Sequence, residues 1–437
     1  MKFTLVKLLF PLLFLNLKLL AQDSIRQLPL EEARKQAITH NEAINQANLD
    51  VSLAKNHLTT TQAFFLPQAN FSYTAISTNN PLNAFGLKLQ QSTILASDFN
   101  PSLLNDPPGR ADFSTKLELQ QPLINLDLLY QRKGAAKQVE MYELMAKRGG
   151  EKIALETEKA YLQLQMLYEA DKVLKEALSM AKAFQKLTKD LYDQGLVQRS
   201  DLLNADLHVS NTETQIRYSS SNILDASDML SLMMGASTGT RYITDPIIRS
   251  TTNSSGASLS PDRADLLAMK KGIETYDLMI RSSKMSFLPK LNAFGNYQLN
   301  DNSVFGFKAN SYLAGLQLSW NIFNGNKTKN QIGQQKLEKE KLNSQLAQQT
   351  KEAEMNIARA QRQIDDAAFS IKQQELAIGQ AAEVLRVLQN RYTQGLVKTT
   401  DVLSAQITLS QQKLGSLQAI LQFNTATATL AFLTSHK

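Results

Sequence analysis

Four stretches of the chain alternate between apolar and polar residues with a period of two. In 65–78, Phe65, Pro67, Ala69, Phe71, Tyr73 and Ala75 fall on one face, and Gln68, Asn70, Ser72 and Thr74 on the other. In 112–123, Phe113, Leu117, Leu119 and Leu123 oppose Asp112, Ser114, Lys116, Glu118 and Gln120. Residues 287–300 set Phe287, Leu291, Ala293, Tyr297 and Leu299 against Lys290, Asn292, Asn296 and Gln298. Residues 312–322 set Tyr312, Ala314, Leu316, Leu318, Trp320 and Ile322 against Gly315, Gln317, Ser319 and Asn321. Such alternation predicts strands with one apolar and one polar face. Each has roughly the length of a tilted membrane crossing, with aromatic residues near the ends as in an interfacial girdle. A half-buried soluble sheet is the alternative reading of the same alternation.

Most of the rest has helical periodicity. Residues 126–193 and 325–393 lack proline and are poor in glycine. Each predicts a single helix about 100 Å long at 1.5 Å per residue. The second carries a strict heptad: Ile357, Ile364, Ile371, Ile378, Leu385 and Tyr392, with Ala360, Ala367, Gln374, Ala381 and Leu388 at the other seam position. That predicts a left-handed coiled-coil seam, packed closely where alanine recurs. Leu164, Leu167, Leu174, Leu178, Ala181 and Tyr192 repeat it more loosely. The returning segments have seams of their own: Leu202, Val209, Ile216, Ile223 and Leu230 in 201–234, and Leu403, Ile407, Leu414, Leu417, Leu421, Ala428 and Ala431 in 399–434. Between each long helix and its return stands Gln-Gly-Leu-Val, at 194–197 and 394–397. Gly195 and Gly395 suit a left-handed position ending a helix. Ser200 and Thr400, followed by Asp201 and Asp401, suit the start of the next.

These elements occur twice. Residues 191–210 match 391–410 at nine of twenty positions without a gap, where chance gives about one. Phe65-Leu-Pro67 answers Phe287-Leu-Pro289, and Leu117 to Asn125 answers Leu316 to Asn324. The predicted organisation is a signal segment 1–22, a first repeat 23–235, an equatorial segment 236–262 rich in Ser, Thr and Gly, and a second repeat 263–437. The repeats place β-hairpins at 65–123 and 287–323, and helical hairpins at 126–234 and 325–434. Residues 79–111, with Pro81, Pro101, Pro107, Pro108 and Gly109 among them, are predicted as a long loop between the first two strands.

Composition narrows the function. Lys2 and Lys7 precede a short apolar run, Leu8 to Leu15, and Leu-Ala-Gln22 offers a cleavage site, which is a secretory signal. There is no cysteine, which excludes disulfides, thiolate metal sites, a cysteine nucleophile and a cysteine-linked lipid. The four histidines, His40, His57, His208 and His436, are scattered, so neither a metal nor another cofactor is expected. The net charge of +7 is spread along the chain and mixed with acids, unlike a nucleic-acid footprint. After residue 22 no apolar run is long enough for a membrane helix, so a crossing would have to be made by strands. Four strands are too few to close a barrel, and open edges are not tolerated in lipid. Two copies would supply eight strands and three would supply twelve.

The arrangement resembles the TolC-like outer-membrane efflux proteins over essentially the whole mature chain. The resemblance rests on Leu28-Pro-Leu-Glu-Glu-Ala33 followed by Ala54 to Pro67, on Asp262-Arg-Ala-Asp-Leu266 leading to Phe287-Leu-Pro289, and on the paired Tyr-x-Gln-Gly-Leu-Val hairpins. It implies a mostly α fold with a small transmembrane β part: a homotrimer whose 12-stranded β-barrel sits in outer-membrane lipid and continues as a periplasmic helical barrel. It also implies a periplasmic adaptor and an inner-membrane transporter as partners, in a tripartite efflux pump or a type I secretion system. In the family the entrance is closed by a latch near the hairpin tips. Carried over, Tyr392 and Asp201 fall on partners in that latch, and Asp401 falls on an acidic ring. Three Asp401 carboxylates around a narrow pore would attract cations. The chain departs from a well-studied pattern at Val397, where an arginine stands, and at Ser404, where a second acid stands. The tips Gly195, Leu196, Val197, Gly395, Leu396 and Val397 are the expected adaptor-docking residues.

Two rival classes predict different sequences. A periplasmic adaptor would flank one hairpin with lipoyl-like β-domains, whereas this chain has two hairpins and four alternating strands. A secreted enzyme would gather His, Asp, Ser or Glu around a glycine-rich loop, and no such motif appears.

Overall fold

The computed structural model describes residues 24–251 and 258–434; the segment 1–22 read as a signal lies outside the described residues. In chain order the elements are β1 (Ser24–Gln27), α1 (Leu30–His40), α2 (Glu42–Ala63), β2 (Gln68–Thr78), α3 (Pro81–Gln90), a 3-10 turn (Ala96–Phe99), α4 (Pro101–Asn105), β3 (Arg110–Ile124), α5 (Leu126–Asp193), α6 (Arg199–Met233), β4 (Thr240–Ile243), α7 (Ala264–Met285), β5 (Lys290–Asp301), β6 (Ala309–Ser319), α8 (Lys327–Tyr392) and α9 (Thr399–Leu433). They form two compact units interleaved along the chain. The first takes residues up to Asn45, Gly150–Leu259 and Met355–Ser435; the second takes Gln46–Gly149 and Ser260–Glu354. Each unit draws matching pieces from both repeats, so compactness does not follow the duplication. The boundaries fall inside the unbroken helices α5 and α8.

In the second unit, the strands form one antiparallel sheet in the order β2-β3-β5-β6. The register carries the alternation across all four. Phe71 pairs Leu117, Leu117 pairs Tyr297, and Tyr297 pairs Tyr312, giving an apolar row on one face. Ser72, Lys116, Gln298 and Ser311 form a polar row on the other. A one-residue slip anywhere would mix the faces. The Phe-Leu-Pro landmarks lie outside the strands they were read into. Phe65 N–H donates to the Gln62 carbonyl and Phe287 N–H to the Lys284 carbonyl, so both phenylalanines close the helices α2 and α7. Proline then ends the helical turn and the strand follows. β6 likewise stops at Ser319, and exposed Trp320 turns back to donate its indole N–H to the Phe287 carbonyl at 2.9 Å. Lys290 keeps the parity of the polar row and pairs with Asp127 at the start of α5, 2.5 Å away.

The Asp262-Arg-Ala-Asp motif turns out to be a structural clamp. Buried Arg263 donates through Nε and Nη2 to the two oxygens of Asp265, at 2.7 and 2.8 Å, while Gln349 donates to the same carboxylate and Arg148 stands 3.8 Å away. Burial works to raise the Asp265 pKa, but the arginines outweigh it and hold the carboxyl below its usual range. The residues expected as a long loop are largely helical. α3 begins at Pro81, with Asn80 accepting from the Asn83 N–H as N-cap. Lys88 on α3 pairs with Asp98, and the Asp98 carboxylate also accepts the Leu95 N–H.

In the first unit, β1 and β4 pair in parallel, and β4 lies within the segment read as equatorial. The Leu28–Ala33 motif is core. Leu28, Ala33 and Ala37 pack with Tyr161, Leu164, Ile223 and Leu230, and the Tyr161 hydroxyl donates to the Leu28 carbonyl at 2.9 Å. The α8 heptad faces α9: Ile357, Ala360, Ile364, Ala367 and Ile371 pack with Ala419, Phe423, Ala426 and Leu430. Alanines on both sides let the two backbones approach closely. The α9 seam is met in part: Leu403, Leu421 and Ala428 are buried and Leu414 and Leu417 half-buried, while Ile407 and Ala431 are exposed, and Val402, Ala405, Leu409, Ala419, Phe423, Ala426 and Leu430 are buried beside them. α9 is apolar on several sides, so hydrophobicity alone did not single out the contact face; the heptad of alanines marks it. In α5 the tip portion of the seam passes through Leu174, Ala181, Phe184 and Thr188, and Tyr192 lies off it.

Candidate functional site

Both turns between the long helices have the same backbone geometry. Gly195 has φ +76° and Gly395 φ +73°, the left-handed region that favours glycine. The Gly195 N–H donates to the Tyr192 carbonyl and the Leu196 N–H to the Leu191 carbonyl, with Gly395 and Leu396 repeating the pair on Tyr392 and Arg391. This is a Schellman ending, which satisfies carbonyls the helix leaves free. It projects Leu196 and Leu396 into solvent, both more than half exposed.

The next helix starts two residues earlier than Ser200 and Thr400 suggest: the N-caps are Gln198 and Lys398. The acids act from inside the helix. Asp201 Oδ2 accepts the Gln198 N–H and Asp401 Oδ2 accepts the Lys398 N–H, each at 3.1 Å. Both carboxylates therefore sit on the N-terminal ends of helix dipoles. Asp401 is exposed and Asp201 half-buried.

The two tyrosines preceding the glycines behave differently. Tyr192 is 37% exposed, whereas Tyr392 is 4% exposed. Tyr392 lies in a tip core with Phe184, Leu385, Val402 and Leu409, its ring 4.9 Å from that of Phe184. Its hydroxyl stands 3.3 Å from Thr188 Oγ1 and 3.0 Å from Thr399 Oγ1, both buried. Among the described residues the structure thus brings Tyr392 to Thr188 and Thr399 and does not bring it to Asp201. The chain Thr188–Tyr392–Thr399 ties α5 of the first hairpin to α8 and α9 of the second. Sequence reasoning missed both threonines. The signal was present: Thr399 stands seven residues after Tyr392, and Thr188 seven after Ala181. About two turns beyond Asp201 along α6, burial pushes His208 below its ordinary range, while the neighbouring Gln406 amide works the other way.

Among the described residues, no group of three or more His, Asp or Glu gathers to hold a metal ion, and no helix is long and apolar enough to cross a membrane.

The family model described as outer membrane efflux protein matches residues 33–236 and 259–436, both repeats together. The chain belongs to the outer membrane efflux protein family. No curated protein matches it significantly. Among solved structures, VceC from Vibrio cholerae is 16% identical with a TM-score of 0.77, over 93% of this chain and 95% of VceC. The Campylobacter jejuni CmeC outer membrane channel is 15% identical with a TM-score of 0.77, over 93% of this chain and 85% of CmeC. The open state of the Neisseria gonorrhoeae MtrE outer membrane channel is 14% identical with a TM-score of 0.72, over 93% of this chain and 88% of MtrE. The fold is that of these channels, and the protein is an outer-membrane efflux channel. Channels of this family are trimers that work with periplasmic adaptors and inner-membrane pumps. The adaptor reading of the chain is set aside: the structure has two long hairpins and a four-stranded sheet of alternating faces.

Proposed function

We propose that three copies of this chain close a 12-stranded barrel and form the exit duct of a tripartite export assembly, a passage with no catalytic step of its own. The observation that carries this is the sheet. β2 and β6 are both edge strands, and the apolar face runs unbroken from one to the other. In hydrocarbon each free edge would leave backbone groups unpaired, so β2 of one copy pairs with β6 of the next. Exposed Leu203 and Leu207 on α6 and Ile407 on α9 are apolar in the single chain and suit burial against neighbouring copies.

In this reading residues 1–22 direct secretion and 236–262 contribute to an equatorial belt. The tips Gly195, Leu196, Val197, Gly395, Leu396 and Val397 receive a periplasmic adaptor that links the duct to an inner-membrane transporter. Tyr392, through Thr188 and Thr399, holds the two hairpins together at the entrance. Asp201 and Asp401 cap their helices and, in the ring of three, give the entrance its cation preference. The test is mass in detergent together with single-channel conductance in a planar bilayer. The expected species is a trimer with a small, cation-preferring conductance that rises in Tyr392→Phe and loses cation preference in Asp401→Asn. A trimer indifferent to both changes would remove the gate, and a monomer that does not insert would remove the duct.

A further inference from the structure

The helical insert between β2 and β3 lies at the end of the sheet opposite the one where α2, α5, α7 and α8 join it. It covers one face only. Of the strand residues buried at that end, Asp112, Asn300 and Ala309 carry the parity of the polar row; Asp301, of the other parity, is enclosed by its own hairpin turn, accepting from Ser303 and Lys308. Gln91, fully buried at the end of α3, hooks the insert down: its amide N–H group donates to Asp112 Oδ1 at 2.9 Å and to the Ala111 carbonyl at 2.8 Å, while Asn300 donates to Asp112 Oδ2 at 2.9 Å. If the polar face lines the lumen, the insert sits within the mouth of the barrel rather than outside it.

The outer side of the insert is unlike an ordinary wet surface. Ala84, Leu87 and Gln91 are buried on one side of α3, and exposed Leu82 and Leu89 form a stripe on the other. Leu82 is 81% exposed. Exposed Phe99 stands beside the stripe, its ring 5.7 Å from Phe85. Residues 79–109 contain three charged side chains, Lys88, Asp98 and Asp106, and the first two are spent on each other. An apolar stripe with so little charge around it calls for a cover. The cover is specified by the chain path. α3 begins three residues after β2 ends, and β2 is the edge that meets the next copy.

We propose that residues 79–109 form an exit plug, in which the α3 stripes of the three copies meet one another about the three-fold axis at the barrel mouth. This rests on the trimeric reading above. Because the chain has no cysteine, Leu82→Cys and Leu89→Cys, each introduced alone into the full-length protein, report contact between copies directly. Oxidation should join each variant into disulfide-linked chain pairs, with exposed Ser102→Cys on α4 staying unjoined. Replacing residues 81–108 by a short turn, or releasing the hook with Gln91→Leu, should raise single-channel conductance at least twofold; reducing the Leu89→Cys disulfide should raise it likewise. A trimer by mass that fails to cross-link at both positions, or that conducts equally with and without the insert, overturns the plug and leaves the duct intact, its stripe then being covered by lipid or another protein. A monomer by mass overturns the trimeric reading and the plug with it.

Discussion

Two glycines with the same left-handed backbone are expected to respond differently to one added methyl. At Gly395 a Cβ would meet open space, so Gly395→Ala carries only conformational strain, about 1 kcal/mol. At Gly235, φ +65°, a Cβ would run into the backbone carbonyl of His40. Gly235→Ala should therefore cost clearly more and be the variant lost from membranes, as thermal melting of the two purified proteins would show. Charge gives a second residue-scale expectation. The Asp265 pKa is held below its unfolded value, so the unfolded chain binds more protons in acid. The clamp's contribution is present above the ordinary carboxylate range, near pH 4, and is lost as the pH falls through the depressed folded value. Asp265→Asn should lower stability at neutral pH and flatten the loss in acid, measured as melting temperature between pH 7 and pH 3. For His208 the folded value is also lowered. Its neutral form favours the fold above about pH 6.5 and that contribution fades as the pH drops below it. Protection of the α6 amides near the tip, taken relative to their intrinsic exchange rates, should fall between pH 7 and pH 5.5, and His208→Gln should remove that change.

At the level of elements, the strands and long helices were legible because their periods are uninterrupted. The Ile357–Ile371 heptad is buried as its spacing demands, and Ile364→Ala should destabilise the hairpin pair by about 2–5 kcal/mol, with thermal unfolding as the readout. The seam of α9 was not legible in the same way. Leu403 and Leu421 are buried as their size suggests, but α9 is buried on more than one side, and the alanines Ala405, Ala419 and Ala426, which size does not mark, are buried as well. The strand starts were misplaced for a related reason: Phe65 and Phe287 continue the alternation although their backbones still turn with the preceding helix. The density of prolines in the insert suggests a loop. In fact Pro81 and Pro101 occupy first helical positions, where a missing N–H costs nothing.

For the whole molecule, the duplication and the impossibility of closing four strands could both be read before any coordinates. The tip geometry could be read only in part. Repetition marked Gly195, Gly395, Asp201 and Asp401, but it also suggested that Tyr192 and Tyr392 are equivalent, and burial separates them. The heptad spacing marks Thr188 as a seam position, but nothing within one hairpin specifies that its hydroxyl meets Tyr392 of the other.

The two unpaired edges of the sheet reach beyond biophysics into inheritance. A copy that pairs at one edge and fails at the other still occupies a place in the ring. A cell carrying one intact and one edge-defective allele, with products mixing freely, would build roughly one wholly sound trimer in eight. Lesions in β2 or β6 should therefore behave as dominant, whereas lesions that prevent the chain from folding at all should be recessive.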